Sequence, residues 1–246
     1  MRRLTASLAV VLLVATGCGG ASGPTTLTVL AASSLTDVFP ELARAYQSSH
    51  ENVELHFTFS GSQELAEQVK ENTPADVLAT ADTTTMDELA EYVDRSSRRV
   101  IAYTSLTIAV APGNPRRIRE LADLARPGLR VVLAAQGVPA GRYSRQALAK
   151  AGVTVRPVSA EIDVRSVLTR VRTGEADAGV VYLTDLRSAG RAASSVPIPA
   201  AHNVTAAYPV SVVDDTDHED ASAAFVTWLG SAAAKSVLNE HGFTTP

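Results

Sequence analysis

The sequence predicts an α/β protein of two lobes, each a mixed, mostly parallel sheet flanked by helices, with two strands joining them as a hinge. Three observations predict it. Short apolar strands repeatedly stop at small residues and turn at once into amphipathic helices, the order of parallel sheets covered on both faces. The same order runs twice, before and after residue 105. A last apolar stretch near residue 210, followed by helical sequence, is too short for a third lobe and completes the first. With 246 residues, 46% of them hydrophobic, the chain can bury a sizeable core as one large or two smaller domains.

In order, residues 1–17 read as a processing signal rather than fold. Arg2 and Arg3 precede an apolar run from Leu8 to Val14, closed by Ala15-Thr16-Gly17-Cys18. Small residues directly before Cys resemble a bacterial lipobox, with Cys18 as the site of lipid attachment; a plain secretory signal is the alternative. The run is too short to span a membrane. Residues 18–25 form a flexible tether. Cys18 is the only cysteine, so the mature fold is expected to have no internal disulfide and no Cys metal site.

Leu27, Val29 and Leu30 make a buried strand that stops at Ser33 and Ser34. Ser34-Leu35-Thr36-Asp37 fits a capping box opening a helix with Leu35, Val38, Phe39, Leu42, Ala45 and Tyr46 on one face. A strand delivering hydroxyl residues to a helix N-terminus makes an anion site from unpaired N–H groups; an ordinary strand-to-helix turn is the plainer reading. Val53 to Phe59 repeats the pattern, ending in Ser60-Gly61-Ser62-Gln63 before a helix carrying Leu65, Ala66 and Val69. A third strand lies in Pro74 to Asp82, with Asp76 and Asp82 as turn and cap residues, and a helix follows from Thr83 to Tyr92.

Leu106 to Ala111 is an apolar strand cut by Pro112-Gly113, and Ile118 to Leu124 is helical. Strand 130–134 leads through Val138-Pro139-Ala140-Gly141 into a helix from Arg142 to Ala151. A short strand at 153–155 precedes Asp163, which caps a helix from Val164 to Thr173. Strand 178–181 then ends in Tyr182. Tyr208 to Val213 is the returning strand, and 217–239 reads as one or two helices. The economical path crosses near residues 105 and 210, so lobe one holds 26–105 and 211–246 and lobe two holds 106–210. Two adjacent crossings make a hinge with a cleft between the lobes, a preferred ligand site. That is the type II periplasmic-binding-protein architecture.

Several segments now carry a resemblance: VLAASSLTDVF, FSGSQELAEQV, PADVLATAD, VPAGRY, EIDVRSVL, AGVVYLTD and AAYPVSVV, in that order from 29 to 213. Each is weak alone; together they resemble the extracytoplasmic molybdate-binding proteins of ABC importers over essentially the whole mature chain. The resemblance implies a tetrahedral oxyanion held by neutral donors from both lobes. Its two serines fall on Ser34 and Ser62, its backbone donors on Ala140 and Val164, and its tyrosine on Tyr182. Ser33 stands where many members have Ala. Ser33 and Arg142 are candidates for support around the site, although a solvated surface role suits Arg142. The resemblance also implies molybdate and tungstate as ligands, a membrane permease as partner, no cofactor, and a monomer held outside the cell membrane by its lipid. Molybdenum would enter only as the oxyanion, with no protein atom bonded to the metal.

The residue chemistry agrees with that expectation. Ser34 and Ser62 combine hydroxyls with helix-start amides, and Ala140 and Val164 can offer only N–H groups. Each has an ordinary alternative: Ser62 as a cap, Tyr182 and Val164 as core, Ala140 as a turn residue. A donor-only site suits a fully deprotonated anion, whereas phosphate, protonated at neutral pH, would want a carboxylate acceptor too. Sulfate or another oxyanion is the nearer rival, and a surface interaction lipoprotein a further one. Catalysis is disfavoured. Ser60-Gly61-Ser62 does not form a Gly-x-Ser-x-Gly elbow, the five His are scattered, and no P-loop occurs. A net charge of −4 leaves no basic patch for nucleic acid.

Overall fold

The structure is a computed structural model that describes residues 23–246. The expected signal at 1–17, Cys18 and most of the tether lie outside the described residues. Strand β1 (Thr25–Ala32) runs into a 3-10 turn at Ser33–Leu35 and helix α1 (Phe39–Gln47). Strand β2 (Val53–Ser60) and α2 (Ser62–Lys70) follow, then β3 (Val77–Ala79) and a short α3 (Thr83–Asp87). The long β4 (Arg99–Val110) leads to a 3-10 turn at Leu121–Ala125, β5 (Val131–Ala134) and α4 (Pro139–Lys150). Next come β6 (Ser159–Glu161), α5 (Val164–Arg172), β7 (Ala178–Tyr182), α6 (Leu183–Ala189) and β8 (Ser194–Pro197). Strand β9 (Thr205–Val212) and helices α7 (Glu219–Trp228) and α8 (Ala232–Glu240) complete the chain.

The strands lie in the order β2-β1-β3-β9-β4-β7-β5-β6, with β8 on β4 beside this path. Pairing is parallel among β1, β2 and β3 and again among β5, β6 and β7. Strands β4 and β9 run antiparallel to their neighbours. Residues Arg99 to Ser105 of β4 pair with β9, Leu106 to Val110 pair with β7, and Thr107 to Val110 also pair with β8. One strand therefore belongs to both halves of the sheet. At the changeover, the Asn203 side chain accepts from Leu106 N at 3.0 Å and donates to Leu106 O at 2.9 Å. Its amide replaces a missing ladder partner, since β9 starts only at Thr205. The return crossing thus precedes the position near 210 expected from the sequence.

Alternation along β1 shows how the sheet is covered. Val29 and Ala31 face the main core with Leu42 and Phe225, while Leu30 faces a second cluster with Leu65, Val69 and Met86. A strand buried on both faces reads as a continuous apolar run, which is how this one was recognisable.

Several local expectations change. The capping box does not form: neither serine side chain caps, Thr36 bonds Ser33 O through its amide and hydroxyl, and Asp37 turns to Arg165. The 153–155 segment is not a strand; the edge strand is β6, paired with β5 at 159–161. The helix expected over 118–124 is a 3-10 turn at 121–125, α3 stops at Asp87, and α4 starts at Pro139, whose ring suits the first helical turn. Helix α6 and strand β8 were too short to show a period.

A candidate oxyanion site between the two halves

The carboxyl ends of β1, β2 and β3 in one half face those of β5 and β7 in the other. Ligands of open α/β sheets sit at such strand ends. The loops enclose a small cavity lined by Ala32, Ser33 and Ser34, Gly61 and Ser62, Ala81, Val138 to Ala140, Asp163, Val164 and Tyr182. All five expected ligand residues line it, and so does Ser33. Its volume is about 10 Å³, on the order of one water-sized sphere, so the two halves are closed tightly around it.

Each donor has a local reason. Ser62 and Val164 are the first residues of α2 and α5, and Ala140 is the second of α4. Ser34 lies inside the 3-10 turn. Amides in a first helical turn have no intrahelical acceptor, and those of Ser34, Ser62, Ala140 and Val164 find none elsewhere among the described residues. Three α-helix starts and a 3-10 turn, each placing the positive end of its peptide dipoles here, favour negative charge.

The hydroxyls are aimed as well. Ser62 Oγ accepts from Ala81 N at 3.0 Å, and Ser34 Oγ accepts from the Tyr208 hydroxyl at 3.1 Å. With an oxygen lone pair occupied, each serine proton is free to donate into the cavity. The Tyr182 hydroxyl is fully buried with no hydrogen-bond partner. Edge contacts to Tyr143 and Tyr208, with ring centroids at 6.5 and 6.0 Å, fix its ring. Burial pushes the Tyr182 and Tyr208 hydroxyls well above the ordinary tyrosine range, so both remain protonated donors.

Among the described residues, no Lys, Arg or His lines the cavity, and Asp163 is the one charged side chain there. Its carboxylate turns back to cap α5, accepting from Ser166 N at 2.7 Å. Arg142 does not reach the cavity and is not a solvated surface group. Its Nε and Nη2 lie 2.8 and 2.5 Å from Asp82 Oδ2, and Nη2 also donates to Thr85 Oγ1 at 2.6 Å. Asp82 neutralises its charge, while Asp82 Oδ1 caps α3 by accepting from Thr85 N.

A wider cavity of about 250 Å³ abuts Ser34 from another side, lined by Asp37, Arg165, Arg187, Glu240 and His241 among others. It mixes both charge signs and no set of helix starts converges on it, so the smaller cavity is the candidate. Beside Arg165 lies Asp185, fully buried, with Oδ1 2.8 Å from Arg165 Nε but poorly aligned for a hydrogen bond. Burial raises its pKa to about 7 despite the opposing pull of Arg165. Arg165 also pairs with Asp37 at 2.5 Å. Partial burial raises Asp37, and hydrogen bonding and charge from Arg165 more than offset this, holding that carboxyl below its ordinary value.

Tyr208, Ala81, Arg165 and Asp37 were not recognised as site neighbours from sequence. Tyr208 sits in an apolar strand, and its partner Ser34 is 174 positions away, so no local pattern reveals the pair. Among the described residues, no cluster of three or more His, Cys, Asp or Glu could hold a metal ion, and no helix is long and apolar enough to cross a membrane.

Residues 27–244 match the family of bacterial extracellular solute-binding proteins. The chain is 36% identical over 229 residues to the molybdate-binding protein ModA of Mycobacterium bovis, covering 93% of this chain and 88% of that protein. Among solved structures, the periplasmic molybdate-binding protein of Azotobacter vinelandii superposes with a TM-score of 0.75 at 18% identity, covering 89% of this chain and 99% of that one. The sulfate-binding protein SubI of Mycobacterium tuberculosis gives 0.79 at 20% identity, covering 90% and 87%. At those identities the two structures speak to the fold alone.

Proposed function

The chain belongs to the bacterial extracellular solute-binding proteins, in their molybdate-binding branch, and from that premise we propose how this site works. It captures molybdate, and tungstate with it, outside the membrane and hands the anion to an ABC permease. Ser34 and Ser62 from one lobe and Ala140, Val164 and Tyr182 from the other hold the oxygens by hydrogen bonds alone. The carrying observation is the convergence of four unpaired amides and the orphaned Tyr182 hydroxyl on one cavity that no cation among the described residues lines. Such a set donates and does not accept. It suits a tetrahedral dianion and disfavours protonated phosphate, because the Asp163 carboxylate, which lines the cavity, is oriented toward the start of α5, where one of its oxygens accepts from Ser166 N.

Capture works by hinged closure. The two lobes separate about the crossings in β4 and before β9. The anion meets the serines first, and closure adds the remaining donors while water leaves. Hydrogen bonds strengthen in the drier site. The chain acts as a monomer without cofactor or catalysis, tethered to the membrane through a lipid on Cys18.

A thermal-unfolding panel with molybdate, tungstate, sulfate and phosphate tests this reading. An anion roughly a hundredfold above its dissociation constant stabilises the chain by about 2.7 kcal/mol. The expected result is a shift with molybdate and tungstate only. An equal shift with sulfate would keep the fold and donor set and overturn the specificity. No shift with any of the four would favour a surface interaction role.

A further inference from the structure

We propose that Arg142 and Arg165 are closing clasps, positioning residues that hold the two halves shut across the cleft without touching the anion. The inference rests on the hinged-closure reading above. Each arginine sits next to a backbone donor of the second half: Arg142 two residues after Ala140 on α4, Arg165 directly after Val164 on α5. Each reaches a carboxylate of the first half. Arg142 grips Asp82, whose side chain is only 3% exposed, and Arg165 meets Asp37 beyond the serine turn. Each is also secured in its own half, Arg142 by donating to Gly137 O at 2.5 Å and Arg165 by Ser188 Oγ at 3.1 Å and buried Asp185.

The arrangement separates two tasks. Neutral donors contact the anion and set which ion fits, while charged pairs outside the cavity set how long the halves stay closed. The Arg142–Asp82 bond, its carboxylate largely out of water, is stronger than an exposed surface pair, whereas Asp37 is 42% exposed and its bond to Arg165 is the weaker clasp. Neither pair forms when the halves are apart, so their loss acts on the closed state and leaves encounter with the open cleft unchanged.

The test is the Asp37→Asn/Asp82→Asn double variant, with dissociation of radiolabelled molybdate followed during a chase with unlabelled anion. Asn at 82 keeps an oxygen for the Thr85 N cap, and both arginines and all anion donors remain. Dissociation is expected to accelerate at least about fivefold with association unchanged and the ligand-free unfolding midpoint preserved. An unchanged dissociation rate would overturn the clasps. If the double variant folds poorly, Asp37→Asn alone still tests the Arg165 clasp, because Asp37 caps nothing. Wild-type protein that fails to bind molybdate would instead refute the underlying function, which separates the two failures.

Discussion

The Tyr182 hydroxyl is buried without a partner, and a buried group left unsatisfied costs about 1–3 kcal/mol. Tyr182→Phe should therefore leave the ligand-free protein as stable as wild type or more so, while calorimetry shows weaker molybdate binding. A core tyrosine with no ligand role would give unchanged affinity. Asp185 makes a pH prediction. Its folded pKa of about 7 lies above its ordinary value of 3.8. Between those values the folded state holds a proton that the unfolded chain releases, so stability falls as pH rises from about 4 to 7 and the penalty is complete above 7. Urea unfolding across that range should show this slope in wild type and a flatter one in Asp185→Asn; parallel curves would contradict the assignment. Ser34 and Ser62 were readable in sequence because a strand, a small hydroxyl residue and a helix follow one another within a few positions. The Tyr208 hydroxyl that aims Ser34 was not, because that contact exists only after both crossings have formed.

At the scale of elements, the site depends on how closely helix starts approach strand ends. A Cβ on Gly141 would lie 1.9 Å from Ala135 O. Gly141→Ala must push α4 away from β5, costing about 1–3 kcal/mol and displacing the Ala140 amide; denaturant unfolding and molybdate affinity should both report it. Asn203 plays a comparable part at the hinge. Asn203→Ala leaves the Leu106 N–H and C=O without their side-chain partners, and chemical unfolding should register a loss of about 1–3 kcal/mol. Strands buried on both faces and helices with a strong apolar stripe were evident from periodicity, as β1 and α5 show. What failed were elements set by tertiary contact: β6 at 159–161 exists because β5 offers it an edge, and the 3-10 turn after Ser33 replaces a capped helix because Asp37 is drawn to Arg165.

At the scale of the whole molecule, closing of the two halves on the anion depends on backbone that meets across the cleft. Gly61 caps the start of α2 in one half; a Cβ there would lie 2.7 Å from Ile162 O in the other and 2.4 Å from the flexible Gln63 side-chain amide that donates to that same oxygen. The backbone at Gly61, with φ −61° and ψ 138°, suits alanine, so Gly61→Ala should fold normally yet resist closure. Small-angle scattering should show molybdate compacting wild type and leaving this variant extended. The two-lobed plan was visible in sequence because strand-helix units repeat around a single long strand; the closing contacts were not, since Arg142 read alone is an ordinary surface arginine. The most direct test of the central claim, that neutral donors from both halves hold a molybdate ion, is calorimetric titration of wild type beside Ser34→Ala/Ser62→Ala. Wild type should saturate at a single anion per chain, and the variant should lose about 1–3 kcal/mol per serine. Equal affinity in the two proteins would contradict it.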